Sequence, residues 1–173
     1  DFIKTRIESK LKQVRYEDPL LFEEFSEKIK KTLAEYELSR NIDSYLNEME
    51  EMAKDIRNGI TTKDYPSAIK SDVDAKVFYG SIVHRISSII NNITLATEEI
   101  IAEFSIRVKD TIIDNTKRDW KYNESVHKQI HRVLDDIIFD LFDTLEIDTN
   151  NEKNIDVLDL IEDDIMKAAV ARY

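Results

Sequence analysis

Two histidines, His127 and His131, lie four residues apart in the stretch "RDWKYNESVHKQIHRVLDDIIFDLF", which covers residues 118–142. On a helix this spacing places two imidazoles on one face, where they could share a metal ion. The motif HKQIH lacks the acid that follows the first histidine in helical zinc sites, and the third histidine, His84, falls on another predicted helix. His127 lies at the border of the apolar stripe and His131 further out. We therefore predict no metal site.

The segment "KRDWKYN" at 117–123 combines cations with aromatic rings, a composition that can stack bases and hold phosphates. Alternatively, the two rings fold back onto the following helix as a hydrophobic staple. Phe139 lies opposite the apolar stripe of that helix, among charges, which favours either a partner surface or a second buried face. We predict a partner-binding surface and, as a weaker alternative, a phosphate contact. The partner-binding candidates are Trp120, Lys121, Tyr122, Lys128, Arg132 and Phe139, and the phosphate candidates are Lys117 and Arg118.

Motifs for catalysis are missing from the sequence. It contains no cysteine, no GxxxxGK[ST] phosphate loop and no GxSxG nucleophile motif. Adjacent acids such as Glu50 and Glu51 point about 100° apart on a helix, as in a solvated face. We predict no catalytic residue and no cofactor. The lack of cysteine also favours an intracellular protein.

The charge of −11 is distributed unevenly along the 173 residues. Residues 107–132 carry seven Lys/Arg against four acids, whereas residues 133–173 carry three against twelve. An acidic domain repels phosphate backbones at long range, so DNA contact is not expected. No apolar run is long enough to span a membrane, and none has the pattern of a signal peptide.

Helical periodicity covers most of the chain, which contains only two glycines and two prolines. We predict an all-α fold, a bundle of about six helices that begins with an antiparallel hairpin at 17–59, preceded by a helix at 2–14. The hairpin has Asp18 as N-cap and Pro19 at its first helical position. Its two apolar faces comprise Phe22, Phe25, Ile29, Leu33 and Tyr36, and Ile42, Leu46, Met49, Ala53 and Ile56.

The remaining chain is predicted as one domain with the hairpin, over 1–173. An irregular stretch at 60–71 is a candidate boundary, and a second helical group covers 72–142. Its predicted N-caps are Ser71 or Asp72, and Asn123, while Asn154 is the predicted cap of a helix in an acidic extension at 143–173. Because the first residue is Asp and a helical pattern is running by Ile3, we expect the sequence to be cut from a longer protein.

Three stretches in order resemble the carboxy-terminal helical region of the motor and endonuclease (R, or HsdR) subunit of type I restriction-modification enzymes. They are "FEEFSEKIKKTLAEYELSRNIDSYLNEMEEMAKDIRNG" (22–59), "DAKVFYGSI" (74–82) and the stretch at 118–142 quoted above. The matched positions are Ser26, Ile29, Leu33, Tyr36, Ile42, Leu46, Phe78, Tyr79, Asp119, Trp120, Glu124, Ser125, Val126 and Ile130. The sequence departs from the family after Arg132, where a usually basic helix turns acidic.

The resemblance implies a non-catalytic fragment of a prokaryotic, cytoplasmic enzyme. The whole subunit would carry a nuclease and two helicase-like lobes that use ATP and Mg²⁺ to move DNA, and none of their motifs lies here. The implied role is to anchor that motor to the methyltransferase (M) subunit, with the parent motor domains as further partners. Two alternatives stay open: a regulatory module that contacts a nucleotide or DNA phosphate, and an unrelated helical interaction scaffold.

Overall fold

The computed structural model describes residues 2–15, 18–58 and 64–173, and within these ranges every regular element is helical. The helices are α1 Phe2–Val14, α2 Pro19–Ser39, α3 Ile42–Asn58, α4 Val73–Ile86, α5 Leu95–Asn115, α6 Glu124–Thr144 and α7 Glu152–Arg172. Short 3-10 turns occupy Ser67–Ile69 and Trp120–Tyr122. The all-α prediction is confirmed, and the described ranges contain seven α-helices where about six were predicted.

The chain divides into two compact units, residues 1–64 and 65–173. The division falls inside the irregular stretch at 60–71. Residues 60–63 of that stretch lie outside the described residues, as do the outermost positions, 17 and 59, of the predicted hairpin. Each unit has its own apolar core.

The first unit is built on the predicted hairpin of α2 and α3. Thr32 Oγ1 donates to the Glu48 carboxylate at 3.0 Å, and the rings of Tyr36 and Tyr45 lie 4.8 Å apart, so the two helices run antiparallel. α1 packs against both helices. The core that results joins residues from all three: Ile7, Leu11, Leu21, Phe25, Ile29, Tyr45, Met49, Met52 and Ile56.

The second unit is a four-helix bundle in which each helix packs on the next and α7 packs back on α4. Lys109, late in α5, pairs with Asp72 at the start of α4, while Arg172 at the end of α7 pairs with Asp74 in the first turn of α4. These pairs make α5 and α7 antiparallel to α4. The acidic residues 143–173 therefore include a full member of the bundle, because α7 buries Leu158, Ile161 and Ile165.

Helix starts follow the predicted capping residues, with one exception. Asp18, Asp72 and Asn123 cap α2, α4 and α6 through their side-chain oxygens. The prediction of Asn154 as a cap is wrong. The side chain of Asn151 accepts the Lys153 amide at 3.0 Å, so Asn151 caps α7 about one helical turn before the predicted position. The Asn154 amide instead donates to the Asp148 carbonyl at 2.8 Å and holds the preceding turn.

Among the residues that the structure describes, three connections contain a non-glycine residue with positive φ: Arg40 (55°), Asp119 (61°) and Glu146 (57°). This left-handed region is one that residues with a Cβ seldom adopt. Gly80 does not serve such a turn, because it is buried within α4.

Asp72 combines two interactions at the start of α4. One carboxylate oxygen accepts the Ala75 amide at 3.0 Å, and the other accepts Lys109 Nζ at 2.6 Å. Partial burial raises the pKa of Asp72, but the hydrogen bonds from Lys109 and Ala75 outweigh burial and hold the pKa below its ordinary value. A single side chain thus caps α4 and ties it to α5.

Replacing Asp72 tests this double role. We expect Asp72→Ala to lower the free energy of unfolding by about 1–2 kcal/mol, since both the cap and the ion pair are lost. Asp72→Asn keeps the capping oxygen and should cost about 0.5 kcal/mol. Urea unfolding followed by circular dichroism measures both. Equal losses in the two variants would show that the charge, and not the cap, carries the stabilisation.

Candidate functional site

The start of α6 positions the residues that the sequence singled out. Asn123 caps α6 by accepting the amides of Ser125 and Val126 at 3.1 and 3.3 Å. The 3-10 turn Trp120–Tyr122 precedes this cap, and Asp119, at φ 61°, sets the direction in which the turn begins. The turn gives its two aromatic residues opposite environments.

Trp120 points into the protein. It is only 4% exposed, and its ring centroid lies 5.4 Å from that of His127, one turn into α6. The assignment of Trp120 as a surface contact is therefore corrected, because its large apolar ring is packed against the helix that follows. Tyr122 shows the reverse: it is 91% exposed and does not form the staple that was considered for it.

The cations before α6 lie in solvent. Lys117 and Arg118 are exposed, and Lys121 is half-buried. Arg118 Nε lies 3.8 Å from the Asp119 carboxylate, but both side chains are almost fully exposed. Such a pair contributes little to stability and leaves the guanidinium available.

One face of α6 carries the remaining sequence candidates. At about 100° per residue, Lys128, Arg132 and Phe139 fall within about 40° of one another over about 16 Å of helix. All three are exposed, with Phe139 at 38%. We call these three residues the outer stripe of α6.

A second cluster lies between α6 and α7 and centres on Glu162. Glu162 is 8% exposed, and its Oε2 is 3.6 Å from His131 Nδ1. Burial, the largest cause, raises the pKa of Glu162 to about 8, and a hydrogen bond with Asp135 and repulsion from Asp135, Asp159 and Asp163 act in the same direction. No amide, hydroxyl, Lys or Arg group of the described residues donates to its Oε1. We call His131, Asp135, Asp159, Glu162 and Asp163 the α6–α7 seam.

Sequence reasoning did not single out Glu162, although a signal was present. Glu162 falls about 40° from both Leu158 and Met166 on the helical wheel, between these two apolar residues. A glutamate in a predicted apolar stripe indicates a buried carboxyl. Asp163, its neighbour in sequence, points about 100° away and is exposed.

The other contacts between neighbouring helices of the bundle contain complete ion pairs. Arg85 of α4 binds Asp164 of α7 through two nitrogens, at 2.7 and 3.2 Å. Arg107 of α5 lies 2.7 Å from Asp140 of α6. The Asp72 and Asp74 pairs described above complete the set. These Lys and Arg side chains are therefore already paired with carboxylates of the bundle.

An open groove of about 1180 Å³ lies between α1 and α3 in the first unit. Its walls carry charged side chains, including Arg6, Lys10 and Glu50, and the apolar residues beneath, Ile7 and Ile56, are already buried. The groove is open and edged by charged side chains, whereas a small-molecule site encloses most of its ligand.

The two histidines contact different neighbours, His127 the Trp120 ring and His131 the Glu162 carboxyl. Across residues 2–15, 18–58 and 64–173, no group of three or more His, Asp or Glu side chains is arranged to hold a metal ion. The same ranges include no helix that combines the length and apolarity needed to cross a bilayer. The charged side chains and the exposed rings of Tyr122 and Phe139 are groups suited to recognition.

Comparison with known proteins finds no family model, no curated protein and no solved structure that matches this chain. The resemblance to the type I restriction R subunit therefore stays a prediction from the three sequence stretches. Two surfaces, the outer stripe of α6 and the α6–α7 seam, are the candidate sites that the structure offers.

Proposed function

We propose that this chain is a non-catalytic assembly module of a type I restriction enzyme R subunit, which anchors the DNA-translocating motor to the methyltransferase subunit. Two things support the proposal: the order of the three resembling stretches, and an exposed aromatic ring that shares a helix face with two cations on the helix that the third stretch forms. The observation that carries it furthest is the exposure of Phe139 on the same face of α6 as Arg132.

The outer stripe of α6 has the composition of a binding surface. Aromatic and arginine side chains are enriched among the residues that dominate protein–protein affinity. The helix that carries them is anchored by fully buried side chains on its opposite face: Ile130, Leu134, Ile138 and Leu141. The spacing of the stripe is therefore set before a partner arrives, which reduces the entropy cost of binding.

The proposal predicts that Arg132→Ala with Phe139→Ala weakens binding of the methyltransferase subunit at least tenfold. Two interface anchors of these types commonly contribute about 2 kcal/mol or more together. Binding of the whole chain to the methyltransferase subunit of the same system is measured by isothermal titration calorimetry. Helicity and the unfolding midpoint should change little, because both side chains are exposed.

α7 offers a matched control. Leu160 and Lys167 are likewise an exposed apolar residue and an exposed cation seven positions apart, and Leu160 is 40% exposed. Leu160→Ala with Lys167→Ala should leave the affinity unchanged. Absence of binding by the unaltered chain rejects the proposed partner, and equal losses in the two double variants reject the outer stripe.

The phosphate-contact alternative has weaker support. The buried Trp120 ring is not available to stack a base, which leaves Tyr122 as the exposed ring of the turn. Titration of a fluorescent single-stranded oligonucleotide at low salt distinguishes the alternatives. Saturable binding that Lys117→Ala with Arg118→Ala abolishes would favour a phosphate-binding module over the assembly role.

A further inference from the structure

We infer that the α6–α7 seam is a docking site for an arginine side chain carried by a protein partner, with Phe139 at its edge. The inference goes beyond the proposed function, because it concerns the carboxyl groups of the seam and any protein that presents such a residue; it shares only Phe139 with the outer stripe. It assigns a role to the acidic groups that the outer stripe does not use.

The seam has a shortage of positive charge. Every other contact between neighbouring helices of the bundle has an Arg or Lys opposite its aspartate. The seam instead has four carboxyl groups and one partly exposed histidine. Among the described residues, Asp135, Asp159 and Asp163 have no Lys or Arg nitrogen within 4.0 Å. The seam is therefore the helix contact that a cation from outside would complement.

Glu162 is a buried acid that lacks a donor from a base, an amide or a hydroxyl on one of its oxygens. The side chain is more than nine-tenths buried, and its hydrogen-bonding neighbour is Asp135, itself an acid; no Lys, Arg, amide or hydroxyl group of the described residues donates to its Oε1. Buried polar atoms are normally satisfied, so an unpaired carboxyl oxygen beside other acids points to a missing donor. His131, the more exposed member of its pair with Glu162, covers the other oxygen.

The spread of the carboxyl groups over the seam favours arginine over other cations. The carboxyl groups are spread over two helices and do not form a metal-binding group within the described ranges. A guanidinium carries five N–H donors in a planar fork that can bridge two carboxylates. Phe139 lies one helical turn beyond Asp135 and is exposed, so the arginine stem and its planar head can pack on the ring.

The test uses the whole chain labelled with ¹⁵N and the helical peptide acetyl-AAARAAARAAARAAA-amide, with the same peptide carrying glutamine in place of arginine as a control ligand. Backbone amide shifts are followed at low salt. We expect saturable shifts that cluster on α6 and α7 with the arginine peptide and none with the glutamine peptide. The variant Asp135→Asn with Asp159→Asn and Asp163→Asn should weaken binding at least tenfold.

A second triple variant separates local recognition from general attraction to an acidic chain. Glu99→Gln with Glu103→Gln and Asp114→Asn removes three exposed acids from α5 and makes the same change in net charge. It should leave the affinity within about twofold of the unaltered chain, because its charges are remote from the docked guanidinium. Equal weakening by both triple variants, shifts spread over all acidic surfaces, or no saturable binding would each overturn the inference.

Discussion

Phe142→Ala is expected to lower the free energy of unfolding by about 3–5 kcal/mol, whereas Phe139→Ala, on the same helix, should cost less than about 1 kcal/mol. Phe142 is fully buried in the four-helix bundle, so removing its ring leaves a cavity among side chains that cannot close on it. Phe139 is 38% exposed and gives up much less buried area. Guanidinium unfolding monitored by circular dichroism gives both values.

The two variants form their own control, since residue type, helix and substitution are identical. A loss at Phe139 as large as that at Phe142 would mean that the outer stripe of α6 is covered in solution. The stripe would then not be a free surface, and the proposed assembly role would lose its main support. The expected difference instead separates a residue that stabilises the bundle from one that is available to a partner.

Glu162→Gln is expected to make the protein more stable in alkaline solution. The folded-state pKa of Glu162 is raised to about 8 from an ordinary value of 4.5. Between these two pH values the folded state therefore binds more protons than the unfolded state, and the free energy of unfolding falls as the pH rises. Glutamine imitates the protonated acid and removes this loss.

The size of the effect follows from the pKa difference. Each pKa unit corresponds to about 1.4 kcal/mol. We expect Glu162→Gln to gain about 2–4 kcal/mol relative to the unaltered chain between pH 5 and pH 9. Asp135 on α6 and Asp159 and Asp163 on α7 are the other acids around the group.

Thermal or urea unfolding across this pH range measures the effect, with Glu103→Gln on α5 as the control. Glu103 is exposed, so its replacement should leave the pH profile parallel to that of the unaltered chain. A Glu162→Gln profile that is also parallel would show that the carboxyl is hydrated in solution. The seam would then lack the buried acid on which its docking role depends.

Local features of this fold were predictable because they depend on residues three or four positions apart. Periodic apolar residues predict helices, and a side-chain oxygen at the N-cap reaches an amide only two or three residues ahead. Asp18, Asp72 and Asn123 were identified in this way. The prediction of Asn154 as the cap of α7 was wrong because Asn151 offers the same chemistry about one helical turn earlier. Which of the two asparagines caps the helix depends on how the preceding turn folds.

The candidate site was less predictable because tertiary packing decides which of its residues are buried and which are exposed. Trp120 and Tyr122 share one turn and similar chemistry, yet one is buried and the other is almost fully exposed. Sequence spacing does not decide which ring packs against His127. Likewise, Glu162 becomes a crowded, buried acid only when α7 meets Asp135 of α6, a contact between residues far apart in the chain.

The left-handed turns bear on how this chain could be engineered. Arg40 and Glu146 adopt a conformation that costs a residue with a Cβ about 1 kcal/mol and that glycine adopts freely. Neither position belongs to the outer stripe or to the α6–α7 seam. Replacing Arg40 or Glu146 with glycine should therefore raise the thermal stability without altering either recognition surface. Such a variant would be a more stable scaffold on which those surfaces could be redesigned.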